Sequence, residues 1–367
     1  MMFQKFPVPS SKLFVWIFIP YRMTEKGLIS EHYDSPTIRQ ELADVFKEMN
    51  IAWKWQPITL SNMYSIVEEI VDYSNEFVPV VLNYCDGCDE LDGYPGVSVI
   101  KLLEAKGIIF TGADYNFYTL TSSKILMKYA FLRSGVLTAP YEVISDLNDI
   151  QGICQRLNPP LFVKPSDYYG GIGMSERSIV HSDEEIYQQI QYLLQEQQAA
   201  QFTLGNIFIE RFINGREFTV LVIGSAQQPD HLKTYPSLEF IFQSKLNEFK
   251  KFKSRKFRSE VEDHMSGHLV ISSLSDQVSE LGKRAYCAVG GNGYGRVDIR
   301  MDKTSQELFV LEVNANCSIS SQPFSPLFEK SQSSIGTILH LAGIPFAQLM
   351  SEIIAEAFVR HSTKKSP

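Results

Sequence analysis

The chain has 367 residues, a length that predicts two to three compact units at roughly 100–200 residues per domain. Hydrophobic residues make up 44%, enough for a sizeable core, and no low-complexity block points to disorder. The formal net charge of −8 excludes nucleic acid as a main partner, because a phosphate backbone requires a basic surface.

In chain order, the unbroken β-formers of Leu13–Pro20 predict a buried strand. The run is too short to span a bilayer and lacks the basic flank and small-residue cleavage site of a leader, so a cytoplasmic chain without a membrane partner is expected. Helical spacing over 35–50 puts Ile38, Leu42, Val45 and Phe46 on one face, and Ser35 with Pro36 suits an N-cap and first-turn proline. A strand at 52–57, a helix over 62–74 and a buried strand at Val78–Asn83 follow. This β-α-β-α-β alternation predicts an open, mainly parallel sheet that binds ligands at the carboxyl ends of its strands. The acidic, glycine-rich loop 83–96 leaves one such end. Its Asp86, Asp89, Glu90 and Asp92 read as a solvated rim, with recognition of a cationic group as the alternative. Cys85 and Cys88 have a CxxC spacing without a second pair, and all five cysteines read as ordinary thiols of a reducing compartment.

Further along, Val97–Ala105 is predicted helical and 107–111 a short strand. Thr121-Ser-Ser-Lys124 caps a helix running to about 134, and strands are expected at Tyr141–Ile144 and 161–164. The segment Gly170-Gly-Ile-Gly173 offers free backbone N–H groups to phosphate oxygens, or simply a hairpin turn. It lacks the Walker pattern, because the lysine precedes the glycines. A helix at Asp183–Gln195 and strands at 207–212, 218–223 and 237–242 come next. Lys250-Lys-Phe-Lys-Ser-Arg-Lys-Phe-Arg258 is a basic cluster, followed by a helix over 275–289 and a helical stretch over 334–360 broken near Gly343-Ile-Pro345.

Between these helices lie two strand-like runs, 296–300 and 308–316, joined by the turn residues Asp302-Lys-Thr-Ser. Residues two apart share a strand face, so Arg296, Asp298 and Arg300 align on one strand and Glu312, Asn314 and Asn316 on the other. In the obvious register Asp298, Glu312 and Asn314 converge. Two carboxylates and an amide oxygen are hard ligands suited to Mg²⁺ beside phosphates; an ordinary polar hairpin face is the alternative.

Five ordered motifs carry a family resemblance: 121–128, Phe162-Val-Lys-Pro-Ser166 with its following glycines, 209–219, Gly295-Arg-Val-Asp-Ile-Arg300 and Leu311-Glu-Val-Asn314. Together they make the chain resemble the ATP-grasp ligases, within them the D-alanine–D-alanine ligase group. The resemblance implies an α/β fold: an N-terminal parallel-sheet (pre-ATP-grasp) substrate domain over 1–118, a central ATP-grasp subdomain over 119–208 and a C-terminal one over 209–367. It implies ATP and Mg²⁺, or Mn²⁺ in its place. Lys124 and Lys164 would reach the phosphates, and Gly170, Gly171 and Gly173 would close over them. Glu210, Arg211, Phe212 and Ile213 would meet the adenine edge, and Glu217 the ribose hydroxyls. Asp298, Glu312 and Asn314 would hold two metal ions. Lys256, with Lys253 and Lys250 as alternatives, would approach the γ-phosphate. Arg296 would steady an acyl phosphate and the tetrahedral intermediate that follows it.

Departures from the group's pattern fall on the substrate side. Glu31 matches the group's amino-binding glutamate, with a solvated loop carboxylate as the alternative, and the serine and tyrosine partners fall on Gly170 and Phe257. A glycine whose N–H faces the intermediate becomes Ser318. The expected activity is therefore an ATP-dependent, ADP-forming carboxylate–amine ligase acting on small amino acids or related acids other than two D-alanines. Ester or imine formation and a non-catalytic nucleotide-binding scaffold are the alternatives. Small-molecule substrates and a possible homodimer complete the expectation.

Overall fold

Leu13–Pro20 (β1) alternates between two cores because successive strand side chains point to opposite faces. Trp16 and Phe18 pack with Met63, Val67 and Ile70 of α2 (Met63–Tyr73) and with Val99, Ile100 and Leu103 of α3 (Val97–Ala105). Leu13, Val15, Ile17 and Ile19 pack instead with Ile38, Leu42, Val45 and Phe46 of α1 (Pro36–Glu48), whose Ser35 N-cap accepts from the Ile38 N–H. The computed structural model describes residues 5–25, 27–30, 33–74, 76–167, 173–195, 202–242, 265–323 and 333–365.

A small hairpin, β2 (Arg22–Thr24) and β3 (Gly27–Ile29), follows β1. With β4 (Ala52–Ile58), β5 (Val78–Asn83) and β6 (Ile109–Phe110), β1 forms a wholly parallel sheet in the order β4-β1-β5-β6. The acidic loop beyond β5 is not the solvated rim expected. Asp89, at φ +53°, accepts from the Gly96 and Ser98 N–H groups and the Ser98 hydroxyl, while Asp92 accepts from the Cys88 and Tyr94 N–H groups. Two of its carboxylates are thus spent folding the loop into the start of α3. Burial pushes the Cys88 thiol up to about 12 and raises that of Cys85 as well, so the CxxC pair holds inert thiols.

A helix absent from the sequence reading, α4 (Tyr115–Thr121), is capped by Asp114. Thr121 closes it, and Ser123 caps α5 (Lys124–Arg133), so the 121–124 motif serves two helices. The middle of the chain makes an antiparallel sheet in the order β7-β10-β8-β9, from β7 (Tyr141–Ile144), β8 (Leu161–Pro165), β9 (Ile179–Val180) and β10 (Ile207–Arg211). With α6 (Ile153–Leu157) and α7 (Asp183–Gln195) it encloses a core of its own.

The C-terminal sheet runs β14-β13-β11-β15-β16, with β12 (Lys233–Thr234) beside β11 (Gly215–Ser225). Its other strands are β13 (Leu238–Phe242), β14 (Met265–Leu269), β15 (Asn292–Asp302) and β16 (Leu308–Ala315). One face rests on α8 (Ser272–Ala288) within the main core, which also takes Met127 and Phe131 from α5. The chain closes with α9 (Ser334–Ala342) and α10 (Phe346–Lys365), and both bury apolar residues against the β1 side of the molecule. Among the described residues no single helix is long and apolar enough to cross a membrane; α9 and α10 together pass that test but bend by 118°.

One junction sets the sheets against each other. Gly112 has φ +87° and Gly293 φ +101°, and a Cβ on Gly293 would run into the Gly112 carbonyl. A Cβ on Gly112 would strike the Asn316 side chain. Asn316 itself lies in the left-handed region at φ +49°, and its Oδ1 accepts from the Ala113 N–H at 2.6 Å. It therefore docks the hairpin to the N-terminal domain, correcting the expectation that it shares the face of Glu312 and Asn314. Gly293→Ala is expected to lower the unfolding free energy well beyond Gly290→Ala, whose φ of +68° is also left-handed but whose Cβ would enter open space. Gly290→Ala should lose about 1 kcal/mol from backbone strain alone. Urea denaturation of both variants checks this, and equal losses would show that the close approach is unimportant.

Candidate active site

The two long strands deliver the convergence expected of them, but through a bulge. β15 pairs with β16 so that Asp298 faces Glu312 and Ile299 faces Val310, leaving Leu311 as the extra residue. The bulge lets Val310 and Val313 both stay in the core while Glu312 and Asn314 turn to the opposite face. On the other side β15 pairs with β11, bringing Glu217 beside Arg300 and Thr219 beside Asp298. Asp298 is fully buried. The Thr219 hydroxyl donates to its Oδ1 at 2.7 Å, and Arg296 donates to both its oxygens at 3.1 and 3.0 Å. The Asn314 amide nitrogen donates to Asp298 at 3.0 Å and to Glu312 at 3.4 Å. One amide thus touches both carboxylates, so the three groups share one volume. The two carboxylates with an amide make a donor set of the kind a hard divalent cation takes, and these residues would fit Mg²⁺, with the Asn314 amide, whose nitrogen faces both carboxylates here, turning over to offer its oxygen.

Opposite stands a wall of lysines. Glu210, buried at the end of β10, is paired with Lys164 of β8 and with Lys128 of α5 at 2.6 Å. Lys128 also donates to the Thr138 hydroxyl at 3.0 Å and lies over the Tyr141 ring. Burial would raise the Glu210 carboxyl, but the two ammonium groups hold it down at about 2. Lys124 begins α5, within electrostatic reach of Glu312, Lys164 and Glu210. Its pKa is lowered, chiefly by burial and further by Lys164, against the pull of Glu312. Lys124 thus stands within electrostatic reach of both the Lys164–Glu210 pair and the acidic hairpin. Sequence reading missed Lys128, although its place four residues after Lys124 puts both on one helix face.

The linker from β10 to β11 is tied down at several points. Phe212 stacks on Phe162, and its N–H donates to the Pro160 carbonyl. The Arg211 N–H donates to the Pro140 carbonyl, and its guanidinium lies over Phe309. Ile213 is buried with Ala139 and Phe309. Arg300 gathers the segment: it donates to the Ile213 carbonyl at 2.9 Å, pairs with the buried Glu217 at 2.9 Å and covers the Phe212 ring. Gly173, at φ +76°, packs against Phe202, Pro165 and Leu193.

On the substrate side, the Tyr33 hydroxyl donates to Asp86, whose carboxyl is raised to about 7 by burial against the opposing effect of that bond. Asp86 lies within electrostatic reach of Cys317, which is itself within reach of Arg296 and Asp298. Ser318 is exposed, and its backbone is not in the left-handed region. The loop behind it is fixed by Glu41 of α1, which accepts from the Ser320 hydroxyl and from the Ser321 N–H and hydroxyl. Glu31, Gly170, Gly171, Lys256 and Phe257, together with Lys250 and Lys253, lie outside the described residues.

This architecture is shared with a solved D-alanine–D-alanine ligase of Bacillus anthracis complexed with ATP, at a TM-score of 0.64 and 18% identity, covering 96% of this chain and 99% of that one. The fold is therefore the ATP-grasp fold, with an N-terminal parallel-sheet domain. A D-alanine–D-alanine ligase of Bordetella petrii is 26% identical over 255 residues, 70% of each chain. One of Geobacter sulfurreducens is 27% identical over 239 residues, 65% of this chain and 69% of the relative. The family described as D-ala D-ala ligase C-terminus matches residues 131–355, and the chain belongs to it. It is accordingly an ATP-dependent, ADP-forming ligase of carbon–nitrogen bonds that uses ATP with Mg²⁺.

Lys128→Met leaves a buried carboxylate with one counter-charge and should destabilise by about 3–5 kcal/mol near neutral pH. The folded Glu210 carboxyl sits at about 2 against an ordinary 4.5. Its stabilisation is therefore complete above 4.5 and is lost as pH falls towards 2. The penalty of the substitution should shrink over that same interval, as urea titrations at several pH values would show. A penalty independent of pH would mean that the pair carries no charge coupling.

Proposed function

We propose that this ligase activates the carboxylate of a small amino-bearing acid as an acyl phosphate and passes the acyl group to an amine, with substrates other than two D-alanines. The observation that carries the reading is the facing of two charged walls: Asp298, Glu312 and Asn314 on one side, Lys124 and Lys164 on the other. A triphosphate with Mg²⁺ is the partner that complements both.

Lys124 and Lys164 take the phosphate oxygens as point charges. Glu217 accepts from the ribose hydroxyls, and the 210–213 segment meets the adenine. Asp298, Glu312 and Asn314 hold Mg²⁺, which when bound offsets charge on the transferring phosphoryl group. The substrate carboxylate oxygen attacks the γ-phosphorus, and the bond to the ADP oxygen breaks. Arg296 lies where its guanidinium faces the new acyl phosphate and, later, the oxyanion of the tetrahedral intermediate. A free amine then attacks the carbonyl carbon, loses its proton and expels phosphate. The Ser318 N–H stands beside that centre in place of the group's glycine.

Substrate choice centres on Asp86. It is the one carboxylate of the acidic loop directed to Tyr33 and the Cys317–Arg296 side, where an ammonium group of the acyl donor would sit. This reading returns to recognition of a cationic group for Asp86 alone, since Asp89 and Asp92 serve the backbone.

Phosphate release with Mg²⁺ and ATP, screened over paired amino acids, other amines and hydroxy acids with product masses read directly, tests the substrate class. A clear preference for D-alanine with D-alanine would overturn it. The double substitution Asp298→Asn and Glu312→Gln should reduce turnover by about 10³-fold or more, the loss of several kcal/mol of charge stabilisation. Unchanged turnover would remove the metal assignment. For the donor acid, KM should fall as pH rises through about 7 and Asp86 ionises. Asp86→Asn should abolish that limb of the profile, and a limb that persists would place ammonium recognition elsewhere.

A further inference from the structure

The loop 316–322 leaves β16 just past Asn314 and is tied to the N-terminal domain at three points. Asn316 accepts from the Ala113 N–H at 2.6 Å, and the Ile319 carbonyl accepts from the Tyr84 hydroxyl at 3.3 Å. Ser320 and Ser321 donate to Glu41, in the middle of α1. Behind the loop, the Gln322 carbonyl accepts from the Ser333 N–H at 2.9 Å, and a Cβ on Gly336 would strike the Gln322 backbone.

Glu41 is the costly member of this set. It lies in the apolar stripe of α1 with Ile38, Leu42, Val45 and Phe46, where a hydrophobic residue would pack without penalty, and it is only 8% exposed. Burying a carboxylate is unfavourable unless donors meet it. Burial raises the Glu41 carboxyl, and the hydrogen bonds opposing that rise come from Ser321, Ser320 and Gln322. The Ser320 hydroxyl, the Ser321 N–H and the Ser321 hydroxyl converge on one oxygen at 3.1, 2.9 and 2.6 Å. The carboxylate thus grips one short loop, and grips it partly by its main chain.

The place of that loop gives the grip a chemical consequence. Cys317 is buried within electrostatic reach of Arg296, Asp298 and Asp86, and Ser318 follows it directly. Ser318 lies two residues before Ser320, so a displacement at Ser320 and Ser321 passes along the backbone to it. The bonds that hold Glu41 involve neither the lysine wall nor Asp298, Glu312 and Asn314. Releasing them would shift the Ser318 backbone and leave the phosphate and metal groups in place. A misplacement of about 1 Å beside a reacting centre can cost on the order of 10²-fold in rate.

We propose that Glu41 is a positioning residue for the second half of the reaction, holding the Ser318 backbone in place while the amine attacks. This rests on the acyl-phosphate reading and adds to it a residue of the N-terminal domain that acts only through the loop. The first half, transfer of the γ-phosphoryl group to the donor acid, does not depend on Glu41.

Hydroxylamine separates the two halves, because it captures an acyl phosphate as a hydroxamate without needing an amine site. Its nitrogen bonds to the carbonyl carbon, the bond from that carbon to the phosphate oxygen breaks, and a proton goes to solvent. The full-length protein with Mg²⁺ and ATP is given amino acids of both hands as donors, with either hydroxylamine or a second amino acid as acceptor. Glu41→Met, which keeps the volume and removes the oxygens, should slow amino-acid ligation at least tenfold. Its hydroxamate formation and its KM for ATP should stay within threefold of the wild type. Glu41→Gln, which keeps one oxygen at the same reach, should recover at least a third of wild-type ligation. The double substitution Ser320→Ala and Ser321→Ala removes two of the three donors and should show the same split, so the test stands even if Glu41→Met fails to fold. The proposal is overturned if both assays fall equally, if the double variant ligates as the wild type does, or if Glu41→Gln loses as much as Glu41→Met. Absence of hydroxamate from the wild type with every donor would instead remove the acyl-phosphate reading, and the role of Glu41 with it.

Discussion

Everything in the cleft depends on opposite charges held apart by rigid strands. The β15–β16 face brings Asp298 and Glu312 together, with Arg296 paired to Asp298. Across the cleft, Lys128 and Lys164 pair with the buried Glu210, and Lys124 lies within electrostatic reach of Glu312, Asp167 and Glu210. Each wall gathers buried charge mostly of one sign. Bringing charges out of water is unfavourable unless a partner of opposite sign arrives. On the proposed reading a metal–triphosphate would supply both signs at once, its cation to the acidic wall and its phosphates to the lysines.

Backbone precision makes that gathering of charge tolerable. The Leu311 bulge reverses the facing of side chains within one strand, so core valines and cleft ligands coexist on β16. The Gly112–Gly293–Asn316 contact then holds β15 and β16 against the N-terminal sheet, with no room for a Cβ on either glycine. A side chain there would displace the strand that carries Arg296 and Asp298 in the same movement. Arg300 does comparable work at the linker, holding Ile213, Phe212 and Glu217 with one planar group.

Most elements were legible because their patterns are local. Ser35-Pro36 and the spacing of Ile38, Leu42 and Val45 specify α1 without reference to anything else, and Val97–Ala105 matches its predicted bounds. Asp298, Glu312 and Asn314 were legible because strand alternation alone brings them together. What escaped depends on partners distant in sequence. Asn316 could not be separated from the hairpin face without knowing that Ala113 would meet it. Asp86, Asp89 and Asp92 look alike in sequence, and only Tyr33 and the turn into α3 give them different tasks. Lys128 carried a usable signal in its helical spacing, whereas the Arg300–Glu217 pairing required the register of β11 with β15.

The separate core of the middle domain bears on how the cleft operates. Residues from Ile144 to Ile209 pack among themselves, whereas α5 sends Met127 and Phe131 into the main core. Lys164 thus belongs to the middle domain, while Lys124 is carried by a helix anchored in the body. Interfaces within a chain that lack a shared apolar core permit relative motion of the parts they join. A triphosphate held by both lysines, as proposed, would join the two parts, and the Glu210 pairs with Lys128 and Lys164 already bridge them. Nucleotide binding and the closeness of the two walls are therefore linked, because the same charges set both. That linkage suits acyl-phosphate chemistry, since the intermediate hydrolyses readily and the cleft must exclude water while it lasts.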